Sequence, residues 1–149
     1  MIQKIALTLL VTVSPITELR GGIPLGILHY GLNPLFTFFM AIVANALLFF
    51  PIFLGLGLFY DKFLSRLQIF NRYLDIVRRK GSLKVAKYGF LGLTLLVAIP
   101  LPVTGVYTAS ILSWLLGISW RRAFPAIGLG VIVAGIIVLL ITLGIAGRW

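Results

Sequence analysis

The stretch TELRGGIPLG, residues 17–26, places two charges and a broken backbone inside sequence that is otherwise hydrophobic enough for a lipid bilayer. Glu18 and Arg20 each cost about 2.5–3.5 kcal/mol at membrane depth, even on the gentlest insertion scale. Residues that interrupt a helix surround both charges: Pro15, Gly21, Gly22 and Pro24. Charge and irregular backbone inside a membrane protein are typical of a transport or ligand site.

The composition is that of an integral membrane protein. Hydrophobic residues make up 60% of the 149 positions and only 11% are charged, whereas a soluble domain has roughly 25% charged residues. The chain has no cysteine, one histidine and three acidic residues, too few for an ordinary catalytic triad or a polydentate metal site. We therefore expect a membrane protein that is not an enzyme, with no metal and no cofactor.

The net charge of +10 is concentrated in two segments between hydrophobic runs. Lysine and arginine recur through residues 62–87, and Arg121 and Arg122 form the second segment. A positive charge of this size also suggests nucleic acid binding. Because short cytoplasmic loops carry an excess of basic residues, we interpret the charge as membrane orientation and expect no nucleic acid partner.

Four hydrophobic stretches can be recognised, at residues 2–33, 35–60, 88–117 and 123–147. The second and the fourth have about 25 residues each, which is enough to cross a membrane with some tilt. Asn33 and Pro34 supply an N-cap and a first-turn proline for the second, and Ser119 is a candidate cap for the fourth. Both stretches therefore predict membrane-spanning helices.

The first and third stretches do not fit single spans. Each would be about 45–48 Å long as a continuous helix, too long for a hydrocarbon core of about 30 Å and too short for two crossings and a turn. The first is interrupted at residues 14–26 and the third at residues 100–105. We predict two half-length helices in each, folded back as a re-entrant hairpin that protein shields from lipid; full crossings remain the alternative.

Either kind of hairpin returns to its starting side, which fixes the predicted topology. Both termini then lie outside the cell membrane and residues 61–87 lie in the cytoplasm. Gly31-Leu32-Asn33-Pro34 also matches Gly117-Ile118-Ser119-Trp120, at an offset of 86. We therefore expect one all-α membrane domain of two inverted repeats, residues 1–60 and 85–149, since paired interrupted segments are typical of transporters.

Residues 61–84 join the repeats and predict an amphipathic helix. Apolar residues from Phe63 to Val77 recur at helical spacing, basic residues lie mainly off that stripe, and Gly81 is the expected end. Such a helix lies on the membrane surface. We interpret it as a connector, with contact to anionic lipid or gating as the alternative.

The broken segments carry the candidate chemistry. Returning half-helices would begin at Pro24 in the first hairpin and after a Thr104 cap in the second, and their N-termini would favour an anion. Arg20 would add a bidentate donor for phosphate or carboxylate. In an extended tip Glu18 lies on the same side as Arg20. Glu18 is then a proton carrier, or the pair merely pins the hairpin.

The full candidate set for substrate or proton binding combines both segments with one residue of the second stretch. It is Glu18, Arg20, Gly21, Gly22, Pro24, Pro100, Pro102, Thr104, Gly105, Tyr107, Thr108 and Asn45. The hydroxyl groups of residues 107–113 either line the site or bond back to helix carbonyls. A row of small residues, Ala126, Gly130 and Ala134, predicts close helix packing or a dimer interface.

Two motifs resemble a known family. ELRGGIPLG at residues 18–26 and PLPVTGVYT at residues 100–108 are similar to the putative small multidrug export protein family, itself related to the DedA (SNARE-associated, VTT) superfamily. The resemblance covers essentially the whole chain. Val103, Val106, Tyr107 and Ala109 depart from the family pattern PLPGTGAWTG. The resemblance implies inverted re-entrant hairpins, proton coupling and a lipid or amphipathic substrate, since related DedA proteins are linked to moving undecaprenyl phosphate.

The leading hypothesis is therefore a small transporter or flippase, coupled to protons, for an amphipathic anion such as a lipid phosphate. Its partners would be membrane lipids and further copies of the chain, because two spans and two hairpins give little protein to shield the tips. Export of cationic drugs, with Glu18 facing the substrate, is one alternative. A membrane structural or assembly factor without transport is the other.

Overall fold

The computed structural model describes residues 1–99 and 104–147, and all regular secondary structure in these two ranges is helical. The α-helices described there are α1 (Ile2–Val13), α2 (Glu18–Pro24), α3 (Pro34–Leu47), α4 (Phe49–Phe59), α5 (Gln68–Tyr88), α6 (Phe90–Ala98), α7 (Val106–Leu115) and α8 (Trp120–Ala146). A π-helical turn, Leu25–His29, follows α2, and a short 3₁₀ helix, Leu64–Arg66, precedes α5. Pro100 and Pro102 lie outside the described residues.

The break in the first hydrophobic stretch is shorter than predicted. Helical structure ends at Val13 and resumes at Glu18, so the predicted interruption over residues 14–26 is wrong beyond residue 17. Pro24 does not start a returning helix but is the last residue of α2. It removes one i→i−4 hydrogen bond, and the backbone widens into the π-helical turn directly after it.

The second stretch begins as predicted and is broken in its middle. Pro34 is the first residue of α3, and the Asn33 carboxamide accepts hydrogen bonds from the N–H groups of Leu35 and Phe36 at 3.0 and 3.2 Å. The break at Leu48 separates α3 from α4 three residues before Pro51. A proline ring displaces the carbonyl four residues earlier, which explains a helix break at this point.

Two segments are long and apolar enough to cross a membrane, by length and composition, within the described residues. They are Pro34–Phe59, of 26 residues, and Trp120–Ala146, of 27 residues. Ser119 holds the N-cap position of α8, but its side chain makes no capping hydrogen bond. The predicted hydroxyl cap is therefore wrong; exposed N–H groups in a first turn are satisfied by water instead.

Helix α8 lies at the centre of the packing and contacts α2, α3, α4, α6 and α7. Its most extensive contact is with α6, where a Cβ on Gly130 would lie 2.6 Å from the Cβ of Val97. Thr94 Oγ1 donates to the carbonyl of Ala126 at 3.0 Å. The row of small residues is therefore buried inside the chain, which confirms close helix packing and excludes this row from an interface between copies.

Helix α5 continues through Gly81 to Tyr88, so the predicted end at Gly81 is wrong. A glycine inside a helix costs only about 1 kcal/mol, which is too little to end a helix by itself. Helix α5 packs on α6 and α7. Leu74 is buried, and Phe70 and Tyr73 pack against the core, so part of the apolar stripe rests on protein.

The connections that precede α3 and α8 share one local conformation. Gly31 and Gly117 have φ angles of +64° and +66°, a left-handed region that favours glycine. The residue after each glycine donates its N–H at 2.9 Å, from Leu32 to Gly26 and from Ile118 to Ser113. A helix begins three residues after each glycine. The sequence match between residues 31–34 and 117–120 is therefore also a match in backbone structure.

Candidate functional site

Glu18 is the first residue of α2 and has a left-handed backbone, with φ of +50°. A non-glycine residue in that region costs of order 1–3 kcal/mol and persists only where its surroundings hold it there. Its side chain is only 7% exposed. The strained backbone therefore aims a buried carboxylate into the protein at the point where α2 begins.

The Glu18 carboxylate binds the N-terminus of α7. Its oxygens accept hydrogen bonds from the backbone N–H groups of Val106 and Tyr107. These are two of the four N–H groups that a helix leaves without an intrahelical partner, and the helix dipole favours a negative charge beside them. The position at which we expected an external anion is therefore occupied by a carboxylate of the chain itself.

Gly105 makes room for this contact. It holds the N-cap position of α7, which the sequence assigned to Thr104, so that assignment is wrong. A Cβ on Gly105 would lie 2.7 Å from the Glu18 carboxyl carbon. Its φ of +141° is also one that side chains rarely adopt. The carboxylate supplied by Glu18 takes the place that a capping side chain occupies in other helices.

Arg20 reaches the same segment. Its Nη2 donates to the main-chain carbonyl of Thr104 at 2.8 Å and to the Thr104 hydroxyl at 3.3 Å. That hydroxyl donates in turn to the carbonyl of Ile99 at 3.0 Å. The Glu18 and Arg20 charges also interact electrostatically. Glu18 and Arg20 both belong to α2, so the predicted extended tip is wrong. The left-handed backbone of Glu18, at the start of α2, accompanies the approach of both side chains to residues 104–107.

Tyr107 ties the start of α7 to α1. Its hydroxyl donates to the carbonyl of Val13, the last residue of α1. Sequence reasoning placed Tyr107 in the site but missed Val13 and the backbone N–H of Val106, because main-chain groups have no signature of their own. Gly105, standing directly before an apolar helix, was the signal available for an unusual helix start.

Several other predicted residues have packing roles. A Cβ on Gly22 would overlap the Thr12 side chain, and one on Gly21 would lie 2.7 Å from the Cβ of Thr17. The hydroxyl groups of Ser110 and Ser113 donate to the carbonyls of Val106 and Ser110 at 2.6 and 2.8 Å. The alternative of bonding back to the helix is therefore confirmed for these two serines. Thr108 is buried on the same helix.

Asn45 makes no hydrogen bond to this cluster. It lies on α3 and is completely buried. Neither the nitrogen nor the oxygen of its carboxamide has a hydrogen-bond partner within the described residues. A buried amide in this state costs about 1–3 kcal/mol. The structure thus places Asn45 in the helix packing rather than in hydrogen-bond contact with Glu18 or Arg20.

The comparisons with known proteins identify the family. The model of the family described as putative small multi-drug export protein matches residues 18–137, which contain Glu18, Arg20 and the whole of α7. No curated protein and no solved structure gives a significant match to this chain. Because the family model covers well over half of the sequence, the chain belongs to the putative small multi-drug export protein family.

Proposed function

We propose that the chain exports amphipathic cations across the membrane in exchange for protons, with Glu18 as the group that binds either one. The observation that carries this proposal is the buried Glu18 carboxylate bound to the N-terminus of α7. A carboxylate has about four acceptor positions. Two backbone N–H groups leave capacity for a proton or for a cationic group of a substrate.

The proton and the cation compete for one carboxylate, and this competition couples their movements across the membrane. A bound proton neutralises Glu18, and a bound cation favours the ionised form, so each weakens the binding of the other by the same factor. Protonation also weakens the hydrogen bonds from Val106 and Tyr107, because a neutral carboxyl is the poorer acceptor. The contact between α2 and α7 would then loosen when the proton binds and tighten when it leaves.

The membership in an export family supports a drug-like substrate. The occupied helix N-terminus supports a cation over an anion, because an anionic substrate would have to displace the Glu18 carboxylate first. The guanidinium of Arg20 donates to Thr104, so in this arrangement Glu18 alone is the group that would bind the cation.

Transport of a lipid phosphate is the second candidate, and Arg20 is the observation that favours it. Guanidinium groups bind phosphate in a bidentate manner, and Arg20 is only partly buried. In this second scheme the Arg20 side chain leaves Thr104 to bind the phosphate, and protonation of Glu18 frees the start of α7 for the same anion.

The proposed architecture is the pair of inverted repeats, with each broken segment re-entrant. The matching conformations of Gly31 and Gly117 support this arrangement, as does the meeting of the two broken segments at Glu18 and Gly105. We place the termini outside the cell membrane and the basic residues of α5 in the cytoplasm. A homodimer or higher oligomer would shield the break at residues 14–17 from lipid.

Proteoliposomes test the proposal and separate its two forms. Purified protein is reconstituted, a pH gradient is imposed, and uptake of tetraphenylphosphonium and flipping of a fluorescent lipid phosphate are measured in parallel. We expect gradient-driven movement of the cation, and Arg20→Ala should preserve it. Movement of the lipid phosphate alone, lost in Arg20→Ala, would establish the second candidate. No movement of either by the wild type would contradict transport and favour a structural role.

A further inference from the structure

A groove of about 530 Å³ has Tyr107 of the candidate site among its lining residues and is lined almost entirely by apolar side chains. It runs along α4, from Pro51 to Phe59, with Phe63 and Phe70 beyond that helix and Tyr107 and Ile111 of α7 on the facing side. Its volume lies in the range of small-molecule sites. The aromatic rings among the lining residues distinguish it from a purely aliphatic surface.

The groove and the charged site share Tyr107. The backbone N–H of this residue donates to Glu18, and the Glu18 charge acts on its side chain. Tyr107 therefore lies both in the groove and beside the carboxylate. Ile111, one helical turn further along α7, continues the apolar lining away from the charge.

The direction of the groove follows from a contact between aromatic rings. The rings of Tyr60, just after α4, and Trp114, near the end of α7, lie 4.8 Å apart between centroids. The C-terminal ends of α4 and α7 therefore meet, and Tyr107 lies towards the Pro51 end. The other end is formed by Phe63 and Phe70, which lie in the basic segment of residues 62–87. The groove leads from that end of the molecule to Tyr107, whose backbone N–H donates to Glu18.

We propose that this groove binds the aromatic body of an amphipathic cation while the cationic group lies at Glu18. This proposal rests on the proposed function and names the substrate class. The complementarity is twofold: aromatic rings line the apolar part, and Tyr107 at one end donates its backbone N–H to the Glu18 carboxylate. Aromatic faces also attract a cation that is removed from water, which favours an organic cation over a neutral molecule of the same size.

Gly55 offers a direct way to fill the groove. It lies on the lining face of α4, and a Cβ at this position would have no atom within 4 Å. A leucine there should extend into the groove without a clash and should favour the helix over glycine. Gly128 of α8 is the matched control, because it is also half-buried, helical and open around its Cβ, but does not line the groove.

The test is equilibrium binding of radiolabelled tetraphenylphosphonium to the purified full chain in detergent, which does not require transport. We expect Gly55→Leu to weaken binding at least tenfold and Gly128→Leu to leave it within twofold of the wild type. Phe63→Ala should weaken binding severalfold; the ring is 65% exposed, so its removal should not unfold the chain. Thermal unfolding in the same detergent checks that both glycine variants fold.

The outcomes distinguish the groove from the proposed function. Tight binding that Gly55→Leu abolishes, in a protein that transports nothing, would support the groove and contradict export. Binding by folded Gly55→Leu equal to that of Gly128→Leu would overturn the groove, whatever the transport result. Absence of binding to the wild type, together with binding of phosphatidic acid, would overturn the aromatic cation in favour of a lipid.

Discussion

Arg20 donates from Nη2 to the main-chain carbonyl of Thr104 at 2.8 Å, across 84 residues of sequence. Glu18, two residues earlier, accepts from the backbone N–H groups of Val106 and Tyr107. The two charges of α2 thus bind opposite kinds of main-chain group in one short segment, a carbonyl acceptor and two N–H donors. The cost predicted for these charges at membrane depth would be offset by such hydrogen bonds, which join the two halves of the chain.

The hydrogen bonds of Arg20 predict an effect on stability that can be separated from an effect on transport. Arg20→Ala should lower the free energy of unfolding in detergent by about 1 kcal/mol, because it removes the hydrogen bonds to Thr104 from a partly exposed side chain. Under the cation proposal it should leave tetraphenylphosphonium uptake within severalfold of the wild type. Uptake reduced to background in a variant that still folds would show that Arg20 binds the substrate.

Gly105 should be intolerant of even one methyl group. In Gly105→Ala the Cβ would overlap the Glu18 carboxylate, and φ of +141° would be strained. We expect a loss of about 2–4 kcal/mol of unfolding free energy from strain and displaced contacts together, with loss of transport. Gly31→Ala is the control: its φ is +64° and its Cβ would meet nothing within 4 Å. An equal cost in both variants would mean that strain alone matters and that the Glu18 contact adds nothing.

The crossing of α6 and α8 predicts a pair of opposite effects on one helix. Gly130→Ala would place a Cβ 2.6 Å from the Cβ of Val97 and 2.7 Å from the Thr94 carbonyl oxygen. We expect it to destabilise the chain by about 1–3 kcal/mol. Gly128→Ala, open around its Cβ, should be neutral or stabilising by up to about 1 kcal/mol. Thermal unfolding of the two variants, measured side by side, tests this prediction. A Gly128→Ala variant that is less stable than Gly130→Ala would contradict the described packing.

The buried carboxamide of Asn45 predicts a gain in stability on its removal. Asn45→Leu keeps a side chain of similar size and eliminates the cost of an amide without hydrogen bonds, so unfolding free energy should rise by about 1–3 kcal/mol. Asn71 is a suitable comparison, because its Nδ2 donates to the carbonyl of Ser65 at 2.8 Å. Asn71→Leu should lose stability.

The same pair of variants tests the predicted functional role of Asn45. A more stable Asn45→Leu with reduced transport would support a role in the site. Destabilisation of Asn45→Leu to the same extent as Asn71→Leu would contradict the view that its amide is unsatisfied. Uptake of tetraphenylphosphonium by the folded variants is the readout, reported beside the unfolding midpoints.

The sequence predicted those features of the fold that depend on local chemistry. Asn33 and Pro34 start α3 because an N-cap carboxamide and a first-turn proline act within three residues. Length and hydropathy alone indicated both membrane-capable segments. The break at Leu48 was missed although Pro51 signals it, because the uniform hydrophobicity of the stretch favoured one continuous helix.

The arrangement of the site depends on tertiary contacts and was predicted only in part. Glu18, Arg20, Thr104, Gly105 and Tyr107 were all named, and the structure brings them together. Their relationships were not predictable from residue types. A left-handed glutamate is uncommon, and propensity alone would place glycine there. The sequence at a helix N-terminus also does not show whether the group bound there is a carboxylate of the chain itself or an external anion.

The central claim is that Glu18 exchanges a proton for a cationic substrate. The most direct test is the lumenal pH of proteoliposomes, followed with a trapped dye while tetraphenylphosphonium is added outside without an imposed gradient. We predict cation-dependent proton movement with the wild type and with Asp61→Asn, whose acid is exposed and distant in sequence from the site, and none with Glu18→Gln. Equal proton movement with Glu18→Gln and the wild type would contradict the account.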